Sequence, residues 1–148
     1  MSRDIKFRLR DRENRIVGHE KWYTGVWNED AGFWIAQPLW LYSKNNQDEN
    51  ETWNPTYIFH KFKDEFTCLK DKNGKEIYEG DIIKELLHNN PLCAVVKWEK
   101  DTAGFSPFNH ELWDCESCGS YNLCDMEDIE IIGNIYENPE LLNNTKEQ

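Results

Sequence analysis

Short apolar runs closed by turn residues recur along this chain, and they determine the class of structure it can form. Residues 5–10 alternate apolar and basic side chains, which is the period of a strand with one buried face. Asn73-Gly74 is the strongest hairpin signal, and it predicts a type I′ turn with positive φ at both residues. Gly80 predicts a second kink, through either a positive φ or a bulge. The pattern predicts a mainly β (β-rich α+β) protein with little helix.

The first strand sets the expected orientation of its side chains. Ile5, Phe7 and Leu9 should point inward, whereas the three basic residues between and after them should face solvent. A short C-terminal helix should begin after Asn138, with Pro139 in its first turn. Further strands are predicted over residues 15–17, 26–27, 33–35, 66–69, 82–83, 92–98, 105–108 and 129–136, with strand or short-helix character at 57–62.

Turn residues and local composition also predict how the chain is organised. Residues 1–142 are expected to form a single domain, and residues 143–148 are expected to form a disordered tail. Residues 43–56 are almost free of aliphatic side chains and predict a flexible surface loop. Residues 66–136 have the strand and hairpin layout of a small SH3-like, partly open barrel. No internal repeat is evident.

The chain combines a net charge of −11 with 14% aromatic residues. The rings argue against disorder, and the charge argues against general affinity for nucleic acid. The charge is uneven: residues 1–22 hold seven basic and four acidic residues, and residues 109–148 hold one and ten. The basic segment could contact phosphate, but a solvated strand face beside the acidic C-terminal segment is the favoured interpretation.

Targeting signals and cysteine content predict the compartment. No apolar run is long enough to cross a membrane, and the basic N-terminus lacks the apolar core of a secretory signal. The five cysteines are an odd number, which predicts free thiols or a metal site in a reducing compartment. We therefore expect a cytoplasmic protein, in a bacterial host cell given the family resemblance described below.

A cysteine-rich segment carries the sharpest candidate site. Cys115-x-x-Cys118, together with Cys124 and His110, could supply four tetrahedral ligands to a structural zinc ion. A redox dithiol is a second alternative, but the surrounding segment lacks a thioredoxin-like βαβ pattern. A second ligand pair of regular spacing is missing, so free thiols in a loop and no cofactor are the favoured interpretation.

Other chemistry-bearing residues give weaker signals. Glu79 and Asp81 flank Gly80 and could hold a metal or transfer protons, but a turn role, with Asp81 accepting backbone N–H bonds, is favoured. Asp125, Glu127 and Asp128 are interpreted as a solvated acidic face. The sequence contains none of the common catalytic or phosphate-binding motifs, so no catalytic residue is predicted.

Three segments of the chain together resemble those of a known family. They are residues 66–83 (FTCLKDKNGKEIYEGDII), residues 3–11 and residues 128–142. They are similar to the signature, opening and closing segments of the YopX family, which is found in phages and prophages of bacteria. Cys68 stands where members of the family more often carry glycine. The resemblance implies a cytoplasmic, β-rich, phage-related protein, and it assigns no activity, cofactor or site residue.

Three functions remain open at this point. The favoured one is a non-enzymatic accessory protein that binds protein or self-associates, because large rings are abundant between Trp22 and Tyr42, with Trp53 beyond them. A nucleic-acid-binding small barrel is the alternative, and the net charge disfavours it. A metal-dependent hydrolase that uses Glu79 and Asp81 is the least favoured.

Overall fold

The structure is a computed structural model of the full chain. It describes residues 5–23, 26–28, 30, 32–35, 39–43, 57–85, 93–100, 103–108, 123, 126 and 128–142. These residues form antiparallel strands with almost no helix, so the predicted mainly β class is confirmed. The sheets are not closed into a barrel, which is consistent with the predicted partly open architecture. No helix among the described residues is long and apolar enough to span a membrane.

The chain divides into two compact units, residues 1–65 and residues 66–148. The boundary falls inside strand β6 (Phe62–Lys70). We call the two parts unit 1 and unit 2 and describe each by itself. The division does not test the predicted single domain over residues 1–142, which stays a prediction.

Unit 1 is built around the predicted first strand. Its sheet has the order β5-β2-β1-β6, in which only residues 62–65 of β6 pair with β1. A separate hairpin joins β3 and β4, as the sequence predicts. The strands are β1 (Ile5–Arg10), β2 (Ile16–Tyr23), β3 (Val26–Asn28), β4 (Phe33–Ile35) and β5 (Leu39–Ser43).

Unit 2 contains a four-stranded sheet of order β10-β9-β8-β11, and residues 66–70 of β6 pair with β7 beside the core. Its core consists of buried aliphatic side chains from β7, β8, β9 and β11, with Leu123. The predicted C-terminal helix is confirmed as one turn of 3₁₀ helix, Pro139–Leu142. The strands are β7 (Glu76–Tyr78), β8 (Asp81–Glu85), β9 (Cys93–Glu99), β10 (Gly104–Phe108) and β11 (Ile129–Asn134).

An aspartate organises a hairpin turn in each unit, in the same way both times. The Asp11 carboxylate accepts two backbone N–H bonds within its turn, and Asn14 closes the turn with a φ of +63°. The Asp71 carboxylate likewise accepts the N–H groups of Asn73 and Lys75, and Gly74 has a φ of +80°. Such carboxylate bonds to the following backbone are the reason that aspartate favours turns.

The prediction of a type I′ turn at Asn73-Gly74 is therefore wrong. Positive φ occurs at Gly74 but not at Asn73, and the N–H of Gly74 donates to the carbonyl of Asp71 at 2.9 Å. This is a three-residue loop in which a type I turn is followed by a left-handed residue. The side chain of Asp71, rather than the Asn-Gly pair, selects that loop.

Two other predictions about strands are corrected. Arg8 and Arg10 do not face solvent, because they are only 6% and 5% exposed. Residues 57–60 have no regular structure, and β6 begins at Phe62 instead of continuing the predicted 57–62 segment. Most of the predicted 43–56 loop, from residue 44 onward, and the 143–148 tail lie outside the described residues.

Candidate protein-binding surface

A buried carboxylate holds the two arginines of β1. Arg8 and Asp64 are register partners on β1 and β6, and the Arg8 Nε donates to Asp64 Oδ2 at 3.1 Å. Arg10 makes a two-pronged contact, with Nε 2.8 Å from Oδ2 and Nη2 2.8 Å from Oδ1 of the same carboxylate. The Nη1 of Arg10 also donates to Asn14 Oδ1. Because a guanidinium fork matches a carboxylate, the pairing fixes the register of β1 against β6.

A second ion pair lies on the opposite face of this sheet. Glu20 on β2 is fully buried, and both of its carboxylate oxygens are 2.8 Å from Lys63 Nζ. Tyr42 on β5 is the register partner of Glu20, and its hydroxyl is also hydrogen-bonded to the Glu20 carboxylate. Burial, and after it the negative charge of Glu20, raise the pKa of Tyr42 above its usual value. Glu20 therefore joins β2 to β5 through a hydrogen bond and to β6 through an ion pair, although the backbone of β6 pairs with β1.

Arg8, Arg10 and Asp64 lie on one face of the sheet, which we call the arginine face. His19 lies on the same face and is uncharged. It is the register partner of Arg8 on β2 and is buried. Burial lowers the pKa of His19 to about 3, with further contributions from the charges of Arg8 and Lys6. The ring is therefore uncharged at neutral pH, which spares this face an additional buried cation.

A row of three aromatic rings, two of them exposed, begins at Tyr42, whose hydroxyl is bonded to Glu20. Tyr57 lies between Tyr42 and Phe59, with ring centroids 5.6 Å from each, and both contacts are edge-to-face. Tyr57 is 56% exposed and Phe59 is 88% exposed. We call these three residues the ring row. Since large apolar side chains gain free energy on leaving water, a ring as exposed as Phe59 is a candidate contact for a partner.

A smaller apolar strip crosses the arginine face of the same unit. Arg10 is the register partner of Ile16 on one side and Phe62 on the other. Ile16 and Phe62 are both partly exposed, and the Arg10 guanidinium lies 5.1 Å from the centroid of the Phe62 ring. The exposed Lys61 also lies over this ring, at 5.2 Å. Apolar and cationic groups therefore alternate on this strip.

The predicted metal ligands are not tested by this structure. His110, Cys115, Cys118 and Cys124 all lie outside the described residues, so the zinc site stays a prediction. The described parts of the chain contain no group of three or more histidine, cysteine or acidic residues that could hold a metal. Asp125 and Glu127 also lie outside the described residues, and Asp128 is exposed with a φ of +49°.

The geometry of the Glu79-Gly80-Asp81 turn agrees with a structural role. Asp81 is buried, and its Oδ2 accepts the N–H of Tyr78 at 2.9 Å. Gly80 has the predicted positive φ, at +86°, and the ring of Tyr136 lies within 2.9 Å of where a Cβ would stand. Asp81 thus closes the turn that starts β8.

Sequence reasoning missed the residues that organise unit 1. Asp64 and Glu20 are single acidic residues in strands, and neither belongs to a motif. Their importance comes from pairing with Arg8 and Lys63, which are far away in the chain. No local signal pointed to them, because the alternating pattern of residues 5–10 predicts basic side chains that face solvent and need no acidic partner. The exposed rings at 57 and 59 lay in a segment expected to be a regular element.

The comparisons with known proteins agree with the resemblance seen in the sequence. The family model for YopX protein matches residues 6–143, nearly the whole chain. A search among curated proteins found no match. YopX is not a known enzyme family. The match spans both units, from the first strand to the residue after the 3₁₀ helix, and the chain therefore belongs to the YopX family.

Proposed function

We propose that this protein is a non-enzymatic phage or prophage accessory protein that binds another protein in the cytoplasm of the bacterial host. Membership of the YopX family fits a phage-associated protein. The observation that carries the binding role is the ring row, where Phe59 is 88% exposed and Tyr57 is 56% exposed. Tyrosine and phenylalanine supply large contact area, and aromatic residues are enriched in protein interfaces.

The framework beneath the rings supports a preformed surface. Tyr42 is held by its hydrogen bond to Glu20, which is itself paired with Lys63. Tyr57 packs against Tyr42 and also lies 5.5 Å from the ring of His60. His60 Nδ1 in turn lies 2.6 Å from the carbonyl oxygen of Ile58. A surface that is ordered before binding loses less conformational entropy when a partner arrives.

The alternatives have less support. Arg8 and Arg10, two of the basic residues that a nucleic-acid binder would use, are buried against Asp64. The net charge of −11 adds repulsion from phosphates. A carboxylate-based hydrolase would need Asp81, whose Oδ2 accepts a backbone N–H in its turn. Nucleic-acid binding would appear as an electrophoretic mobility shift of DNA or RNA that weakens as salt is added. We expect no shift, even at low salt.

A photo-crosslinking experiment tests the protein-binding proposal directly. Benzoylphenylalanine replaces Phe59 in one version of the full chain and the exposed Lys97 of β9 in a control version. After irradiation in host cells, we expect discrete protein adducts from position 59 and none of the same mass from position 97. Adducts that are missing at 59, or identical at both positions, would contradict a binding role for the ring row.

A further inference from the structure

We infer that two copies of this chain pair antiparallel through the outer edge of β5, with the ring row at the border of the contact. This inference deepens the proposed function, on which it rests, because it names a second copy as a partner. It depends on three observations: the state of the strand edges, the uncharged sequence of β5, and the distribution of charge between the two units.

Among the described edge strands, β5 is the one whose sequence and register contain no proline, bulge, charge or shortness that would protect its edge. It pairs with β2 over five consecutive residues without a register shift. Strand edges that are left open are templates for pairing, and proteins usually block them with proline, bulges, charge or short length. Strands β3, β4 and β7 have three residues each, β10 contains Pro107, and β11 has a register irregularity between Ile131 and Gly133.

The sequence of β5 suits pairing with itself. Residues 39–43 read Leu-Trp-Leu-Tyr-Ser and contain no charged residue, proline or glycine. A two-fold axis through Leu41 brings the strand opposite its own copy, so the same edge serves both partners. Like charges directly opposite each other destabilise strand pairs, and this segment has none. The aromatic residues of this segment, tryptophan and tyrosine, are also enriched in strands.

The ring row begins on this strand. Tyr42 belongs to β5, its ring contacts Tyr57, and Tyr57 contacts Phe59. Paired β5 strands would therefore bring two copies of Tyr42 close to the new backbone hydrogen bonds. Removal of part of these rings from water would contribute free energy in addition to those bonds. Tyr42 thus links the ring row to the edge at which we infer pairing.

The distribution of charge allows unit 1 to approach its copy. Residues 1–65 hold ten basic and eleven acidic residues, whereas residues 66–148 hold seven basic and seventeen acidic residues. Nearly all of the net charge therefore belongs to unit 2. Two whole chains, each of charge −11, still repel one another at long range. Because salt screens that repulsion, pairing through an uncharged edge should strengthen as ionic strength rises.

Sedimentation equilibrium of the full chain over a range of concentrations tests the inference. We expect a monomer–dimer equilibrium that shifts toward dimer when ionic strength is raised, which is the opposite of the response of an ionic interface. Leu41→Lys should abolish the dimer, and Ser106→Lys on the proline-containing edge strand β10 should leave it unchanged. A monomer at every concentration and ionic strength would overturn the inference.

Hydrogen exchange gives a readout that does not depend on a variant that folds. In the unmodified protein, amides within residues 39–43 should exchange more slowly at concentrations that favour dimer, while those of β10 should not change. A dimer without slower exchange in residues 39–43 would place the contact elsewhere and overturn the inference. If the chain is strictly monomeric but position 59 crosslinks to other proteins, the self-pairing is wrong and the proposed function still holds. A strict monomer without adducts would contradict both.

Discussion

Cys68 occupies a backbone conformation that its side chain disfavours. Its φ is +68°, and it lies where the pairing of β6 with β7 is irregular, between Phe66 and Lys70. The left-handed region costs an L-residue roughly 1–2 kcal/mol because Cβ approaches the following carbonyl oxygen. This conformation is one that glycine adopts readily, and glycine is the residue that the family resemblance led us to expect at this position. The neighbouring Thr67 stabilises the irregularity, since its hydroxyl donates to the Ile77 carbonyl.

Replacement of this cysteine by glycine should therefore stabilise the protein. We expect Cys68→Gly to raise the free energy of unfolding by about 0.5–1 kcal/mol relative to Cys68→Ala, because relief of the strained φ exceeds the added backbone entropy of the unfolded chain. Urea denaturation of the two variants measures the difference. The alanine variant separates backbone strain from lost contacts of the thiol, and equal stability of the two variants would refute the strain.

His19 makes the stability of the fold depend on pH. Its pKa is about 3 in the folded protein and about 6.5 when unfolded, so below pH 6.5 the unfolded state binds a proton that the folded state does not. Stability is therefore fully present above pH 6.5 and falls as the pH is lowered toward 3. Between pH 7.5 and pH 5, the loss due to this group should be about 2 kcal/mol.

The variant His19→Gln isolates that contribution. We expect its free energy of unfolding to fall by about 2 kcal/mol less than that of the unmodified protein between the same two pH values. Denaturant titrations at pH 7.5 and pH 5 supply the four values needed. Because only the changes in the free energy of unfolding with pH are compared, any cost of the substitution that does not depend on pH cancels. Equal decreases in the two proteins would contradict a neutral buried His19.

At the scale of elements, β1 and β6 are joined by the Asp64 carboxylate as well as by their backbones. Asp64 lies 2.8 Å from both Nε and Nη2 of Arg10 and also accepts from Arg8. These side chains are almost completely buried, so the arginine charges depend on this carboxylate for compensation. Removing one partner of a buried pair leaves an uncompensated charge, which is far more costly than losing a surface pair.

We expect Asp64→Asn to lower the free energy of unfolding by about 3 kcal/mol, a value typical of a broken buried pair. The matched control is Glu130→Gln, because the Glu130–Lys72 pair has an N–O distance of 3.2 Å but both side chains are 36% exposed. Loss of such an exposed pair should cost less than about 1 kcal/mol. Thermal and urea denaturation of both variants provide the comparison, and similar effects would show that Asp64 contributes little.

At the scale of the whole molecule, most of the net charge and most of the exposed rings among the described residues belong to different parts of the chain, with Trp98 of unit 2 as an exception. Unit 1 is nearly neutral and carries the ring row, whereas unit 2 holds seventeen acidic and seven basic residues. This distribution lets one chain be strongly acidic while presenting a surface that does not repel a partner. The net charge of the whole chain supports its solubility, and the near-neutral charge of unit 1 supports contact between the ring row and a partner.

Most strands and turns were predictable because they depend on local pattern. Alternation identified β1, apolar runs identified β8 and β9, and Gly80 has the predicted positive φ. The prediction for Asn73-Gly74 was wrong because Asp71, two residues earlier, selects a different turn. The segment at 57–62 was misassigned because its rings mimic strand composition. The exposed state of Phe59 could not be deduced from residue type alone.

The sequence by itself determined the mainly β class, the positions of most strands and the family, because periodicity and turn chemistry act over a few residues. Only the tertiary structure decided that both faces of β1 are buried towards its end, where Leu9 is buried as expected and Arg8 and Arg10 are buried too. A basic residue in an alternating strand normally faces water, but Arg8 and Arg10 meet Asp64, which lies more than fifty residues away in the chain. Compensation of buried charge is a non-local property, so no local pattern contains it. The same holds for the position of β5 at the edge of the described sheet, since a strand becomes an edge only through the order in which the sheet assembles.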